Sequence, residues 1–217
     1  MKRLFAVLLA LAALAGAGVY VWYANHPASQ EPMAPVASSD NIFASGEYGF
    51  TIRFPKSYQT DYDFKSFYHL PANWRANALP NATGTPIVAL IGYRSESAHS
   101  FPRYYEAEVR IGISRDPKEL ARCEVAATEQ AEKQLADVTL GGMVFKAFSF
   151  ESAGMMQYVK GISYRVIHDG ACYAVEKLAT GSSYRDDPAS ADDIPQDTLD
   201  AAYNALDSVA ASFQFSK

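Results

Sequence analysis

The sequence predicts an α+β fold in which an antiparallel sheet carries helices on both faces. Two observations favour this class. Strand-like segments follow one another over most of the chain, whereas a parallel sheet would require strands and helices to alternate. Helical periodicity occurs in only two segments, one in the middle of the chain and one near its end.

A hairpin over residues 161–178 is the strongest local signal. Asp169-Gly170 separates two runs rich in Ile, Val and Tyr, and this dipeptide favours a type I′ turn because both central residues need φ > 0. A two-residue turn fixes the register and pairs His168 with Ala171, Ile167 with Cys172, Val166 with Tyr173 and Tyr164 with Val175. Paired residues share a face, so Tyr164, Val166, Tyr173 and Val175 are predicted to face the core. The opposite face carries Ile167 and Cys172, with Arg165 diagonal to Glu176.

The other strands are predicted from alternation or from continuous apolar runs. Residues 48–54 alternate up to Pro55, and residues 61–64 alternate weakly. Residues 87–93 form an apolar run typical of a strand covered on both faces. Alternation returns at residues 105–113, and further strands are expected at 143–150 and 157–160. The proline- and asparagine-rich residues 71–86 are predicted to form a loop.

Both predicted helices have an apolar stripe. The start of the first helix is indicated by a cap residue, Asp116, followed by Pro117 at the first helical position and the carboxylate Glu119 three residues after the cap. This helix is expected to run to about Ala136. Its buried stripe would consist of Leu120, Cys123, Ala127, Ala131 and Leu135. The second helix spans residues 196–210, with Leu199, Tyr203 and Leu206 facing the sheet, and residues 212–215 close the chain in an extended form.

The N-terminal segment resembles an export signal. Lys2 and Arg3 precede residues 5–24, which contain no charged side chain. A run of this length can span a bilayer as a signal anchor, and small residues near Ala15 could instead form the cleavage site of a signal peptide. Aromatic residues at 20–23 favour the anchor, since Tyr and Trp concentrate at membrane interfaces. Residues 25–44 are predicted to be a flexible Pro/Ser/Ala-rich tether and residues 45–217 a single globular domain.

These features predict a domain on the outer side of a bacterial cytoplasmic membrane, either anchored as a single-pass protein or released to the periplasm after cleavage. Of 19 basic residues, Lys2 and Arg3 stay inside, which leaves 17 against 24 acidic residues and a net charge of −7 for the exported part. An acidic domain is a poor partner for nucleic acid or for anionic lipid headgroups.

Cys123 and Cys172 are the only cysteines, and in an exported chain such a pair is expected to form a structural disulfide. They are not a Cys-x-x-Cys motif, so the bond is not expected to be catalytic. If Cys123 lies on the sheet-facing stripe of the middle helix, that helix covers the hairpin face of Cys172.

Aromatic side chains concentrate at residues 58–74 and form a candidate binding surface. Its members are Tyr58, Tyr62, Phe67, Tyr68 and Trp74, with Phe64 among them. Packing along the edge of the sheet is the alternative explanation for these aromatic residues.

No catalytic motif is present in the sequence. There is no nucleophile elbow, phosphate-binding loop or dinucleotide fingerprint, so no catalytic residue and no cofactor are predicted. No histidine has zinc-ligand spacing, and the paired aspartates at 186–187 and 192–193 lack the spacing of a calcium loop; no metal site is predicted.

Several short signatures resemble PsbP-type domains: the aromatic strand YGFTIRFP, the capped middle helix, the meander through GISYRVIHDGACYAV and a terminal helix ending in SFQF. The resemblance covers about residues 45–216 and implies an αβα sandwich that docks on membrane-associated assemblies and is not known as a catalyst. No functional residue of that family can be matched position by position. The N-terminal segment and the cysteine pair depart from the photosynthetic members.

The sequence thus predicts a non-enzymatic, membrane-tethered periplasmic domain that binds or assembles an unidentified envelope protein or complex. A carrier of an apolar small molecule and a hydrolase with an unrecognised site are the alternatives.

Overall fold

The computed structural model describes residues 40–62, 64, 70–95, 104–154, 157–182 and 194–216. The strands are β1 (Asp40–Ser45), β2 (Phe50–Pro55), β3 (Gln59–Asp61), β4 (Thr85–Arg94), β5 (Tyr105–Ser114), β6 (Lys133–Gln134), β7 (Val138–Leu140), β8 (Met143–Gly154), β9 (Gln157–His168), β10 (Ala171–Ser182) and β11 (Gln214–Phe215). The helices are α1 (Pro117–Arg122) and α2 (Gln196–Ala211), with a short 3₁₀ turn at Thr128–Gln130.

An eight-stranded antiparallel sheet forms the centre of the fold. Its order is β3-β4-β5-β10-β9-β8-β6, and β7 also pairs with β8. A three-stranded sheet, β1-β2-β11, is the second sheet of the described chain. The predicted antiparallel α+β class is confirmed in this coarse form.

The predicted hairpin joins β9 and β10 in the expected register. His168 pairs with Ala171 and Tyr164 with Val175. Both turn residues have positive φ, 46° at Asp169 and 71° at Gly170, as a type I′ turn requires.

One face of the central sheet holds the main hydrophobic core. Helix α2 and the small sheet cover this face. The residues that meet there include Phe50, Ile52, Val109, Val175, Leu206 and Phe213, all fully or almost fully buried. Phe213 stacks on Phe50 with ring centroids 5.1 Å apart, so the C-terminal end of the chain packs against β2. The predicted strand at 48–54 and the predicted terminal helix are both present here.

The other face is covered mainly by irregular chain rather than by a helical layer. Residues 70–84 lie across it, and a side chain at Gly112 would collide with the backbone carbonyl of Trp74. Cys123, at the end of α1, forms a disulfide with Cys172 across a Cα separation of 5.7 Å. The predicted disulfide is present. The predicted sandwich with helices on both faces is not confirmed in the described residues, where the short helix α1 lies beside the disulfide on this face.

The middle helix ends at Arg122 instead of continuing to Ala136, so that prediction is wrong beyond Arg122. Ala131 takes a left-handed φ of 58°, and Leu135 donates its N–H to the carbonyl of Ala147 at the sheet edge. The segment that was predicted to be helical instead makes a tertiary contact, in which the buried carboxylate of Glu132 accepts hydrogen bonds from Arg75 and Arg165. Helix propensity is weak beside such an interaction.

Three predicted boundaries also change. Strand β1 begins at Asp40, so residues 40–44 belong to the small sheet and not to the tether. Strand β8 continues to Gly154, where a turn from residue 151 was predicted. The weak strand near residue 61 is observed as Gln59–Asp61.

The predicted anchor and most of the predicted tether lie outside the described residues. Among the residues that are described, no helix is both long and apolar enough to cross a membrane.

Candidate functional site

A β-bulge in β4 shapes the surface beneath α2. Ile91 pairs with Glu108, and Tyr93 pairs with Ala107, so Gly92 is an extra residue in the ladder. An extra residue reverses the side-chain alternation beyond it. Tyr93 is thereby directed to the α2 face and Arg94 to the opposite face.

Gly92 also provides room for Tyr58. A Cβ atom at Gly92 would lie 2.6 Å from the Tyr58 ring, so only glycine lets this ring lie against β4. The N–H of Tyr58 donates to the carbonyl of Pro55 at 3.0 Å, which holds the turn that presents the ring. Burial raises the pKa of the Tyr58 hydroxyl above its ordinary value.

The result is an open groove of about 420 Å³ between β4 and α2. Its lining combines two tyrosine rings with small and polar helix residues: Tyr58, Gly92, Tyr93, Asp197, Thr198, Ala201, Ala202 and Ala205. We call this the Tyr58 groove.

Helix α2 is held in place along the groove by Tyr105. The Tyr105 hydroxyl donates to the carbonyl of Leu199 at 3.0 Å, and its ring meets Tyr93 at 5.8 Å in an edge-to-face arrangement. Burial raises the pKa of Tyr105, so its hydroxyl stays a donor at neutral pH. The walls of the groove are therefore fixed by contacts that are already made within the fold.

The predicted aromatic surface is only partly brought together. Tyr58 lines the groove, whereas Tyr62 is 63% exposed and lies near Phe43, with ring centroids 6.2 Å apart. Trp74 is 1% exposed, so its assignment to a binding surface is wrong. Phe67 and Tyr68 lie outside the described residues. Phe64 is buried, with the Arg110 guanidinium 4.7 Å from its ring centroid.

Trp74 is buried because the loop at 70–84 packs onto the disulfide. It shares a small cluster with Cys123, Cys172 and Ala174. The alternative explanation, aromatic packing on the sheet, is the correct one for this residue.

A buried charge network lies under the same loop. Glu132 accepts hydrogen bonds from Arg75 at 3.2 Å and from Arg165 at 2.7 Å. The Arg165 guanidinium also sits 3.7 Å from the Phe148 ring centroid, and burial lowers its pKa. Glu176 accepts from the N–H of Ala76 at 2.6 Å, while burial raises its pKa.

A second set of charges lies on the same face along β5. Arg110 donates to Glu108 at 2.6 Å. The Tyr104 hydroxyl donates to Glu106 at 2.6 Å, and Glu106 also pairs with Arg94. Burial raises the pKa of Glu108 to about 7, with Arg110 acting in the opposite direction.

Sequence reasoning did not find these networks. Alternation in β5 identified the face of Glu106, Glu108 and Arg110 as polar, and a polar face is ordinarily solvated. The diagonal relation of Arg165 and Glu176 in the hairpin was the available signal. Both are fully or almost fully buried, so each needs a polar partner from elsewhere in the chain, which is Glu132 for Arg165 and the N–H of Ala76 for Glu176.

The buried charges hold the loop in place and do not line the Tyr58 groove. Buried ion pairs of this kind cost several kcal/mol to break, because one charge is left without a partner. Within the described ranges, no group of three His, Cys, Asp or Glu side chains is arranged to hold a metal ion.

Comparison with known proteins gives distant structural neighbours. No protein-family model matches the chain, and no curated protein matches it. Cyanobacterial PsbP (CyanoP) from Synechocystis sp. PCC 6803 is similar over 84% of this chain and 96% of its own, with 11% identity and a TM-score of 0.43. LpqN of Mycobacterium tuberculosis, involved in cell envelope biogenesis, is similar over 82% of this chain and 91% of its own, with 10% identity and a TM-score of 0.41.

The first of these neighbours is a PsbP protein, which is the family that the sequence signatures resemble. Both TM-scores are below 0.5, and neither neighbour carries a function over to this chain.

Proposed function

We propose that the protein is a non-enzymatic binding domain, tethered to the outer side of a bacterial cytoplasmic membrane, that holds an envelope protein at the Tyr58 groove. The groove is the observation that carries this proposal. Tyrosine combines a large apolar ring with a hydrogen-bonding tip, which makes it a favoured residue of protein interfaces.

The charge of the groove indicates which part of a partner it fits. Asp197 lies in its wall, and α2 contains Asp197, Asp200 and Asp207 but no Lys or Arg. A segment that places an apolar side chain between the tyrosines and a basic side chain near Asp197 complements this surface.

The placement of the titratable groups supports binding rather than acid–base catalysis. Glu108 and Glu176, whose pKa values are raised, lie on the far face of the sheet beneath residues 70–84. A catalytic acid or base must reach its substrate, and these two carboxyls are almost completely buried.

The tethering rests on residues 1–24, and it has a direct test. An uncleaved anchor keeps the protein in the membrane through high-salt and carbonate washes, with Met1 or its processed successor at the N-terminus. N-terminal sequencing that begins near Gly16 or Gly18 would show instead that the segment is a cleaved signal peptide.

The docking site is tested by photo-crosslinking in intact cells. A photoreactive amino acid at Ala201, which is exposed in the groove, should give a discrete adduct of protein mass. The same amino acid at Asn204, exposed on α2 but outside the groove, is the matched control.

Two tyrosine variants identify the surface that is used. Tyr58→Ala should abolish the Ala201 adduct, whereas Tyr62→Ala removes an exposed aromatic outside the groove and should leave it. An adduct that is equally strong at both crosslinking positions, or insensitive to Tyr58, contradicts the proposal.

A carrier of an apolar small molecule is the second candidate, because about 420 Å³ falls within the usual size of ligand pockets. Native mass spectrometry of the detergent-extracted protein would then show a retained mass that is lost in Tyr58→Ala.

A further inference from the structure

In the described part of the chain, the outer edge of β8 has no strand partner at Glu151–Ala153. Along its inner edge β8 pairs with β9 as far as Gly154, opposite Gln157. On the outer edge, β7 pairs with residues 143–145 and β6 with residues 148–149. No strand of the described chain pairs with the outer edge beyond Ser149.

The alternation of the strand identifies which backbone groups are available. The Ala147 carbonyl accepts from Leu135 on the outer side. The backbone N–H and C=O groups of successive residues point to opposite sides of a strand, so every second residue shares a side. The backbone groups of Glu151 and Ala153 therefore point to the outer side, like those of Ala147. Both residues are exposed, so this edge is accessible to another strand.

A groove of about 340 Å³ lies directly beside this edge. Ile162 and Tyr203 provide an apolar and aromatic floor, and Lys133, Lys160 and Glu151 stand around it. Tyr203 is held by Lys177, whose ammonium lies 4.0 Å from the ring centroid and donates to Asp207 at 2.6 Å. The floor is thus a fixed part of the fold.

The groove carries an excess of positive charge. In the described part of the chain, Lys133 and Lys160 have no carboxylate within ion-pair distance, and Lys160 rests only near the Tyr203 ring at 5.3 Å. An acidic side chain arriving at this edge would meet two ammonium groups against the single carboxylate of Glu151.

We propose that an extended acidic segment of a partner protein adds as a strand to β8 at Glu151–Ala153. Its backbone pairs with the outward groups of these residues, an apolar side chain enters the groove over Tyr203, and a carboxylate pairs with Lys133 or Lys160. Strand addition of this type obtains affinity from the main chain and specificity from alternate side chains. This surface is separate from the Tyr58 groove and does not depend on it.

The test uses the full-length protein in detergent micelles and fluorescence anisotropy. The probes are labelled eight-residue peptides in which Glu or Asp alternates with Val, Ile or Tyr. We expect saturable binding that weakens with salt. The same peptides with Lys in place of the acidic residues, or with alternate backbone amides N-methylated, should not bind.

Charge-reversal variants locate the site. Lys133→Glu together with Lys160→Glu should weaken binding about tenfold or more. The matched control is Lys56→Glu with Lys118→Glu, which makes the same charge change at two exposed lysines away from the groove. Tyr58→Ala should leave the peptide affinity unchanged, which separates this site from the proposed function.

The backbone contact is tested by Ala153→Pro, which removes an outward N–H and is tolerated at a strand edge. It should abolish binding while circular dichroism remains that of the parent. If this variant does not fold, the variant with Lys133→Glu and Lys160→Glu tests the proposed site.

Three results would overturn the proposal. One is that no acidic peptide of the panel binds, as expected of an edge that is merely protected by its charges. Another is that the acidic and the lysine-containing peptides bind equally well. The third is a concentration-dependent dimer, seen by sedimentation and lost in Ala153→Pro, which would assign the edge to a second copy of this chain.

Discussion

At the scale of single residues, Gly92 determines the most about the candidate site. As the extra residue of a bulge it directs Tyr93 toward α2 and Arg94 toward Glu106, and its missing side chain leaves room for Tyr58. One small residue therefore shapes a groove on one face of the sheet and an ion pair on the other.

Replacing Gly92 by Ala should displace the Tyr58 ring, because the new Cβ atom would lie 2.6 Å from it. Because the atoms it meets are the far end of a side chain beside an open groove, we expect a loss at the low end of overpacking, about 1 kcal/mol in the free energy of unfolding, together with loss of the Ala201 crosslink. Gly46→Ala is the control, since a Cβ atom there meets nothing within 4 Å. Equal stability of the two variants in chemical denaturation would show that Tyr58 is not held against β4.

Glu108 should make stability depend on pH. Its pKa rises from 4.5 in an ordinary carboxyl to about 7 in the fold, so the folded state binds more protons than the unfolded state between these values. The free energy of unfolding should therefore fall as the pH rises from about 4.5 to about 7 and be level above that range.

Chemical denaturation at pH 5, 6, 7 and 8 checks this sign. Glu108→Gln should reduce the decrease of the free energy of unfolding with pH. Glu176, whose pKa is also raised, should account for part of the decrease that remains. Glu47→Gln, at an exposed position, should keep the full decrease. A dependence of stability on pH that is the same in the parent protein and in Glu108→Gln would refute the assignment.

At the scale of elements, the β9–β10 hairpin shows how local geometry defines a long-range pairing. Asp169 and Gly170 both take positive φ, and the register that follows separates the core face from the charged face. The middle helix shows the reverse, because its capping signal is correct at Asp116 but the chain leaves the helix after Arg122.

Gly170→Val should cost about 1–2 kcal/mol, because an L side chain is strained in the left-handed region. No atom lies within 4 Å of a Cβ placed there, so the cost would come from the backbone alone. Gly170→Asn should cost less, since asparagine tolerates this conformation. Thermal unfolding of the three proteins measures the order, and a valine variant as stable as the parent would exclude the type I′ turn.

At the scale of the whole molecule, the central sheet separates two kinds of interior. The face toward α2 and the small sheet is apolar, while the face under residues 70–84 combines charges with a disulfide. The irregular chain supplies a backbone partner on this face, since one oxygen of the buried Glu176 carboxylate accepts the N–H of Ala76.

The disulfide should contribute strongly to stability. Closing a loop between positions 49 residues apart is worth roughly 4 kcal/mol in the chain-entropy model. Reductant should lower the melting temperature of the parent protein and have no effect on a variant with both cysteines changed to alanine. Unreduced peptide mapping should recover the two cysteine peptides linked, and free thiols in protein from an oxidising compartment would contradict the bond.

Features specified within a short stretch of chain were predictable here. The turn at Asp169-Gly170, the start of α1 at Asp116 and the apolar stripe of α2 follow from backbone preferences and periodicity, which need no knowledge of distant residues. The disulfide was predictable because the sequence contains two cysteines, so each has one possible partner within the chain. Tyr58 was included in the aromatic cluster, but its neighbour in the groove, Tyr93, depends on a bulge that periodicity did not reveal.

Other features depend on contacts between distant parts of the chain. The segment after Arg122, where the helix was predicted to continue, contains Glu132, whose carboxylate pairs with Arg75 and Arg165, residues 57 and 33 positions away. Trp74 is buried, rather than exposed for binding, because the loop that carries it closes over Gly112 and the disulfide. A local pattern records whether a side chain is polar or apolar, and only the folded chain determines whether a polar side chain meets water or a buried partner.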